Sequence, residues 1–396
     1  MKKKVAIIGG GTAGLFLASF LDTTIYEVCI YEKMNTLGRK FLVAGDGGFN
    51  LTHGEILDSF KARYTPTTFL ERQLDSFTNI DLRDWFMDLG VSTFVGSSGR
   101  VFPQKGIKPI EVLQVIKVHL KSKGVQFKFN QTFKGWDSEN RLLFEGDQTI
   151  NPDYTIFALG GSSWKVTGSD GSWQKAFQDK GISTSDFSPS NCAYKINWTA
   201  EFVSRHEGTP LKNITISIKN KVQKGEAVIT QFGLEGNAIY GLSPQIKLDL
   251  SAKREATVFV DFKPTLDIDT VVGKLENAKR NITQTLKEKL KLPIAAIDLM
   301  KESMTKEEYL DISILAKRIK KFPLTLVEAA PIDEAISTSG GIALGAVDKH
   351  FQLKKIENQY CIGEMLDWDA PTGGYLIQAC ASKGVFLAKH LNQLQK

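Results

Sequence analysis

Gly9, Gly11 and Gly14 stand in the spacing G-x-G-x-x-G, and a carboxylate, Glu32, follows about 20 residues further on. The chemistry open to this set is the anchoring of an adenine dinucleotide. Gly9 permits a tight turn, Gly11 lets a pyrophosphate approach the backbone, and Gly14 lets a helix lie close to a strand. Thr12 and Ala13 open that helix, whose positive end faces the phosphate charge. Glu32 can accept a hydrogen bond from a ribose 2′-OH, which favours FAD or NAD over NADP. A glycine turn between strand and helix is common by itself. The reading rests on strand, helix, second strand and terminal acid standing in register.

Three further clusters can touch the same ligand. Lys33, Gly38, Arg39 and Lys40 lead into Gly45–His53, which is mostly Gly, Asn, Asp and Thr and includes Asn50, Leu51 and Thr52. It is either a surface turn or a loop whose backbone N–H groups, with Arg39, wrap a phosphate or a flavin ribityl chain. Its place directly after the second strand favours the latter. Ala158 and Leu159 end a buried run at Gly160 and Gly161, where backbone can come close to a ligand. Near the carboxyl end, Gly363, Glu364, Asp367 and Asp369 precede Gly373 and Gly374, which open an apolar helix at Tyr375 and Leu376. The start of that helix could stabilise negative charge at the N1/O2 edge of a reduced flavin. Asp367 and Asp369 are the polar candidates there, and helix capping explains them equally well.

Other chemistries are poorly supplied. No C-x-x-C is present, so a dithiol relay is not expected, and no second G-x-G-x-x-G provides a separate nicotinamide domain. NAD(P)H would have to visit the flavin transiently. The five histidines (His53, His119, His206, His350, His390) lack metal-site spacing, so no metal is expected. No paired carboxylates declare a catalytic residue. Arg100 is a solvated turn residue or a site residue, and the sequence does not choose. The net charge of +6 is spread along 396 residues, without a dense basic run carrying aromatics, so nucleic acid is not expected as a partner. No apolar run reaches the roughly 18 residues of a membrane helix. Met1-Lys2-Lys3-Lys4 is cut off from a signal-peptide pattern by the glycine turn, and the four scattered cysteines fit a reducing cytoplasm.

The elements that must place these groups follow from periodicity. Lys4–Ile8 and Val28–Tyr31 read as buried strands around a helix, and residues 55–122 as mostly helical around a strand-turn-strand at Phe94–Pro103. Gly124–Phe133 alternates like one strand, and the strand beside the first in a Rossmann sheet often edges the adenine; Phe133 enters the candidate set there. Tyr154–Ala158 and Gln359–Ile362 read as further strands. Between residues 192 and 262 short alternating runs, Ile246–Leu250 among them, suggest a β-rich domain. Residues 266–321 read as a charged helical insertion, and strands resume at Phe322–Val327 and Glu334–Ser337.

With these motifs assembled, the chain resembles the BaiN/YhiN-type bacterial flavoproteins. The resemblance is carried by Gly9–Gly14 with Glu32, Leu37-Gly38-Arg39-Lys40, Asn50-Leu51-Thr52, Gly160-Gly161, Ser339-Gly340-Gly341 and Gly363-Glu364 through Pro371-Thr372-Gly373-Gly374, and it spans nearly the whole chain. Members are described as NAD(P)/FAD-dependent oxidoreductases, and relatives as aminoacetone oxidases. The resemblance implies an α/β fold, a glutathione-reductase-like Rossmann FAD domain (residues 1–190 and 339–396). That domain is interrupted by a β-barrel-like substrate domain (191–265 and 322–338) with a helical insertion (266–321). It implies that Glu32 holds the adenosine ribose, Gly11 and Arg39–Lys40 face the pyrophosphate, Gly363 and Glu364 lie along the ribityl chain, and Gly373–Leu376 meet the isoalloxazine.

Two departures bear on substrate. Many relatives carry Arg-Cys-Asn where this chain has Gly48-Phe49-Asn50, and His-Phe-Gly then Ser-Gly-Pro where it has Gln231-Phe232-Gly233 and Glu235-Gly236-Asn237. The whole resembles an uncharacterised flavoprotein branch of that family more than its bile-acid branch. The leading expectation is an FAD-dependent oxidoreductase passing hydride to or from a small molecule. The alternatives are an oxidase delivering electrons to oxygen and a flavin-holding sensor, RNA-associated or otherwise.

Overall fold

Val5, Ala6, Ile7 and Ile8 are each no more than 2% exposed, as a strand covered on both faces of a parallel sheet requires. In the computed structural model, which describes residues 1–43, 49–276 and 281–395, that strand is central. Chain order gives β1 (Lys3–Ile8), α1 (Thr12–Phe20), β2 (Tyr26–Tyr31), β3 (Thr52–His53), β4 (Arg100–Pro103), α2 (Pro109–Ser122), β5 (Gln126–Lys128), β6 (Tyr154–Phe157), β7 (Gln359–Cys361) and α3 (Tyr375–Leu394). The parallel sheet runs β7-β6-β1-β2-β5, with Ile7 level with Ile156 on one side and Ile30 on the other. Its helices α1 and α3 pack closely: a Cβ on Gly384 would lie 2.8 Å from both Ala13 O and Leu17 N. β3 pairs with β4, setting His53 opposite Arg100.

The chain divides into two compact units, residues 1–189 with 336–396 and residues 190–335. The second unit has its own apolar core and a seven-stranded antiparallel sheet. Among the described residues five helices between Ile268 and Lys320 belong to it, and Ile312–Lys320 buries Leu315, Ala316 and Ile319.

Three strand assignments need correction. Ile246–Leu250 lies in the helix Ser243–Lys253. Ile246 and Leu250 share one helical face at i,i+4 spacing, while Leu248, apolar by alternation, is 66% exposed. Gly124–Phe133 breaks in two: β5 ends at Lys128, Asn130 adopts φ +57°, and Phe133 starts a strand (Phe133–Trp136) in a separate three-stranded meander. β5 adjoins β2 at the edge of the sheet, and the strands beside β1 are β2 and β6. Before Ser337 the chain forms a 3-10 turn at Ile332–Glu334, and the strand is Ser337–Ile342.

Candidate functional site

The β1–α1 turn is held by glycines for two different reasons. Gly9 has φ +109°, and a Cβ there would lie 2.3 Å from Ala158 O. A Cβ on Gly14 would lie 2.3 Å from Gly9 O. Both positions are closed by packing. A Cβ on Gly11 would meet nothing within 4 Å, so this face of the turn opens outward. Gly11 is also the N-cap of α1 and supplies no side-chain acceptor, leaving the first-turn N–H groups at Thr12 and Ala13 available to an anion.

Glu32 follows β2 directly, beside this turn. Its Oε2 accepts the Gly10 N–H at 2.8 Å and its Oε1 the Met34 N–H at 2.9 Å. Burial pushes the carboxyl up from its ordinary range, and the two N–H groups oppose that. The residue is half-buried, and each oxygen keeps a lone pair for a hydroxyl donor. Neighbouring Lys33 is paired with Asp170 at 2.9 Å.

Gly38 (φ +66°) has no room for a side chain, since a Cβ would lie 2.7 Å from Leu113 Cδ1. It turns the chain into the helix Arg39–Val43. Lys40 donates to Glu364 (2.9 Å) and to Ser163 Oγ (2.9 Å). Glu364 also accepts the Thr338 N–H at 3.2 Å. It lies against Gly161, where a Cβ would come 3.1 Å from its Cδ and 2.2 Å from Thr338 Oγ1. Lys40 is therefore already neutralised, while Arg39 has no hydrogen bond or ion pair among the described residues. Ala158, Leu159 and Gly160 (φ +75°) run from β6 past Gly9 to this junction.

The carboxyl-terminal motifs close on the same turn. Gly363 (φ +87°) faces the start of α1, where its Cβ would lie 2.9 Å from that of Ala13. Its carbonyl accepts the Trp368 indole N–H at 2.7 Å and Lys383 Nζ at 3.0 Å. Gly374 (φ +99°), the N-cap of α3, has Thr52 Cα 2.4 Å from where a Cβ would be. Leu51 N–H bonds Val101 O at 2.8 Å, and Thr52 Oγ1 donates to Gln378 at 2.8 Å, so Asn50–Thr52 is bound to both β4 and α3.

Around Gly373 lies a charged group. Tyr375 OH donates to Glu55 Oε1 at 2.5 Å, and Arg63 forks onto both Glu55 oxygens at 3.1 and 2.9 Å. Burial alone would raise the Glu55 carboxyl, but Arg63 and the Tyr375 hydroxyl pull it below its ordinary range. Burial and Glu55 together push the Tyr375 hydroxyl far up. His53 stacks on Tyr375 with centroids 5.3 Å apart. Arg100 reaches this group: its Nε is 3.5 Å from the Cβ position of Gly373.

Some expected contacts are elsewhere. Phe133 packs among Trp136, Phe157 and Phe177 in an aromatic core. Asp367 accepts from Ser185 Oγ (2.7 Å) and Gly340 N–H (2.9 Å), and the Asp369 backbone pairs with Thr65. The loop residues Gly45 to Gly48 lie outside the described residues. Glu55, Arg63 and Lys383 were missed by sequence reading. Lys383 alone had a signal, a lysine at i,i+4 spacing from Ala379 and Leu387 on the apolar face of α3.

The arrangement fits an adenine dinucleotide, with an uncapped helix start beneath an open glycine face, a half-buried carboxylate beside it and a spare guanidinium. Among the described residues no group of three or more His, Cys, Asp or Glu could hold a metal. No helix among them is long and apolar enough to cross a membrane.

The family pattern described as HI0933-like protein Rossmann domain matches residues 3–390. The chain is similar to a 3-dehydro-bile acid delta(4,6)-reductase of Clostridium scindens, 24% identical over 393 residues and 95% of each chain. It is similar to a ribosomal RNA dihydrouridine synthase of Haemophilus influenzae, 23% identical over 389 residues and 94% of each chain. Among solved structures, a flavocytochrome c3 fumarate reductase aligns with TM-score 0.49 and 13% identity, over 99% of this chain and 78% of the other.

Proposed function

The chain belongs to the HI0933-like Rossmann family and is a flavin-dependent oxidoreductase; we propose that it holds FAD non-covalently and reduces a carbon–carbon double bond conjugated to a carbonyl, with NAD(P)H as the transient donor. The single observation that carries the cofactor reading is the open face at Gly11 over the uncapped start of α1, with Glu32 beside it. FAD when bound supplies hydride chemistry. The protein's own residues bind and orient. Thr12 and Ala13 offer N–H groups to the pyrophosphate, Arg39 its free charge, and Glu32 an acceptor for the ribose. Gly373 lets a planar ring approach the start of α3 without a side chain in the way, while Gly374 is kept bare by the backbone of Thr52.

The reaction class is supported by the names of two relatives, a delta(4,6)-reductase of 3-dehydro-bile acids and a dihydrouridine synthase. Both names describe saturation of a ring double bond conjugated to a carbonyl. With Phe49 and Gln231 at positions where the family resemblance leads to other residues, the substrate of better-known members is not carried over to this chain. The test is anaerobic. Purified protein reconstituted with FAD should lose its visible flavin absorbance on addition of NADH or NADPH, and a cyclic enone such as 2-cyclohexenone should restore it. A protein that takes up no FAD, or whose flavin neither nicotinamide reduces, overturns the proposal.

A further inference from the structure

Arg100 is a cation left over. Glu55, the carboxylate of the group around Gly373, has both oxygens occupied by Arg63 and Tyr375. His53, opposite Arg100 on β3, spends its ring nitrogens elsewhere: Nδ1 accepts the Glu55 N–H at 3.2 Å and Nε2 lies 3.1 Å from Ser98 O. Among the described residues Arg100 has no hydrogen bond or ion pair, yet it is half-buried. Its place is fixed rather than incidental. β4 pairs it with His53, Gly96 N–H bonds its carbonyl at 2.8 Å, and Gly54 N–H bonds Gly99 O at 2.7 Å. Its Nε lies 3.5 Å from the Cβ position of Gly373, beside the start of α3, whose N-cap Gly374 supplies no side-chain acceptor. A half-buried guanidinium and a helix N-terminus thus converge where the carboxylate of the group, Glu55, is already engaged by Arg63 and Tyr375.

We propose that Arg100 is the electrophilic residue of the site, binding the carbonyl oxygen of the substrate and the negative charge that oxygen gains during reduction. This rests on the enone-reduction reading above. Hydride delivered to the β-carbon brings one hydrogen and two electrons, originally from NAD(P)H. The double-bond pair moves through the α-carbon onto oxygen as an enolate. Arg100 pairs with that oxygen, and a proton from solvent then adds at the α-carbon. The guanidinium stays protonated throughout.

The experiment uses the FAD-loaded protein and 4-chlorophenol, whose phenolate mimics an enolate oxygen on a flat ring and gives a long-wavelength absorption band against oxidised flavin. Wild type should show the band. Arg100→Gln should bind the probe about ten- to a hundredfold more weakly, the loss of one charge-assisted hydrogen bond. Arg100→Lys, which keeps the charge, should recover part of the affinity. Equal flavin content in the variants excludes a folding defect. No band in wild type, or unchanged affinity in Arg100→Gln, overturns the assignment. The two readings fail separately. If the band depends on Arg100 but 2-cyclohexenone is never reduced, the oxyanion site stands and the reaction class falls. If 2-cyclohexenone is reduced with unchanged kcat/KM in Arg100→Gln, Arg100 alone is wrong.

Discussion

Lys383 Nζ lies 3.0 Å from the carbonyl oxygen of Gly363 and is fully enclosed, with the Trp368 ring centroid 3.5 Å away. The amine is thus part of the floor under the turn that faces the start of α1. Its indole and carbonyl neighbours accept a cation without carrying a full charge.

A pH dependence follows. Burial lowers the lysine from its ordinary 10.5 to about 7. Between those values the unfolded chain holds a proton that the folded protein has released, so stability rises with pH through that window. Below it both states are protonated and the burial penalty is felt in full. Lys383→Met removes the titration. Urea midpoints for the two proteins from pH 6 to 9.5 should show a steeper rise for wild type, and parallel curves would refute a buried titrating amine.

Glu32 has two tasks. It ties the glycine turn to β2 through Gly10 and the following chain through Met34. Glu32→Ala strands two N–H groups, so apo-protein stability should fall by about 1–3 kcal/mol and FAD retention with it. Urea unfolding of apo-protein, with flavin absorbance after dialysis, separates the two effects. Unchanged retention in a destabilised variant would leave Glu32 a brace only.

Much of this was legible in the sequence because glycine is demanded for reasons that spacing preserves. Gly9 and Gly363 adopt positive φ, Gly14 abuts backbone, and no other residue does either cheaply. The alternation at Ile246–Leu250 misled because residues at i and i+4 satisfy a strand pattern and a helix pattern alike. The group of Glu55, Arg63, Arg100 and Tyr375 was not legible. Those residues are joined by the pairing of β3 with β4 and by the approach of α3, and no local period encodes contacts across such separations.

Glu55 offers a prediction in the acid range. Its folded carboxyl is lowered, so the stability it contributes is present above the ordinary carboxylate pKa and lost as pH falls through the depressed value. Glu55→Gln weakens the Arg63 fork and the charge-assisted bond from Tyr375. The gap between wild-type and variant urea midpoints should be widest near neutrality and close towards pH 3. A gap independent of pH would mean that shape, and not charge, is what Glu55 provides.

Gly11 and Gly14 make the sharpest contrast, because one faces open space and the other faces protein. A Cβ on Gly14 would sit 2.3 Å from Gly9 O and 3.1 Å from Ile7 Cγ2. The first of these is backbone of the turn itself, which cannot withdraw without deforming the turn. Gly14→Ala should therefore cost about 1–3 kcal/mol by overpacking. Gly11 has an ordinary φ of −79° and open space around its Cβ position. Gly11→Ala should leave apo-protein stability within about 0.5 kcal/mol of wild type. The new methyl group would stand on the face where the pyrophosphate must reach the N–H groups of α1, so FAD affinity should fall at least tenfold. Fluorescence titration of apo-protein with FAD measures this directly. Full-strength binding by Gly11→Ala would show that the open face of the turn is not the phosphate site.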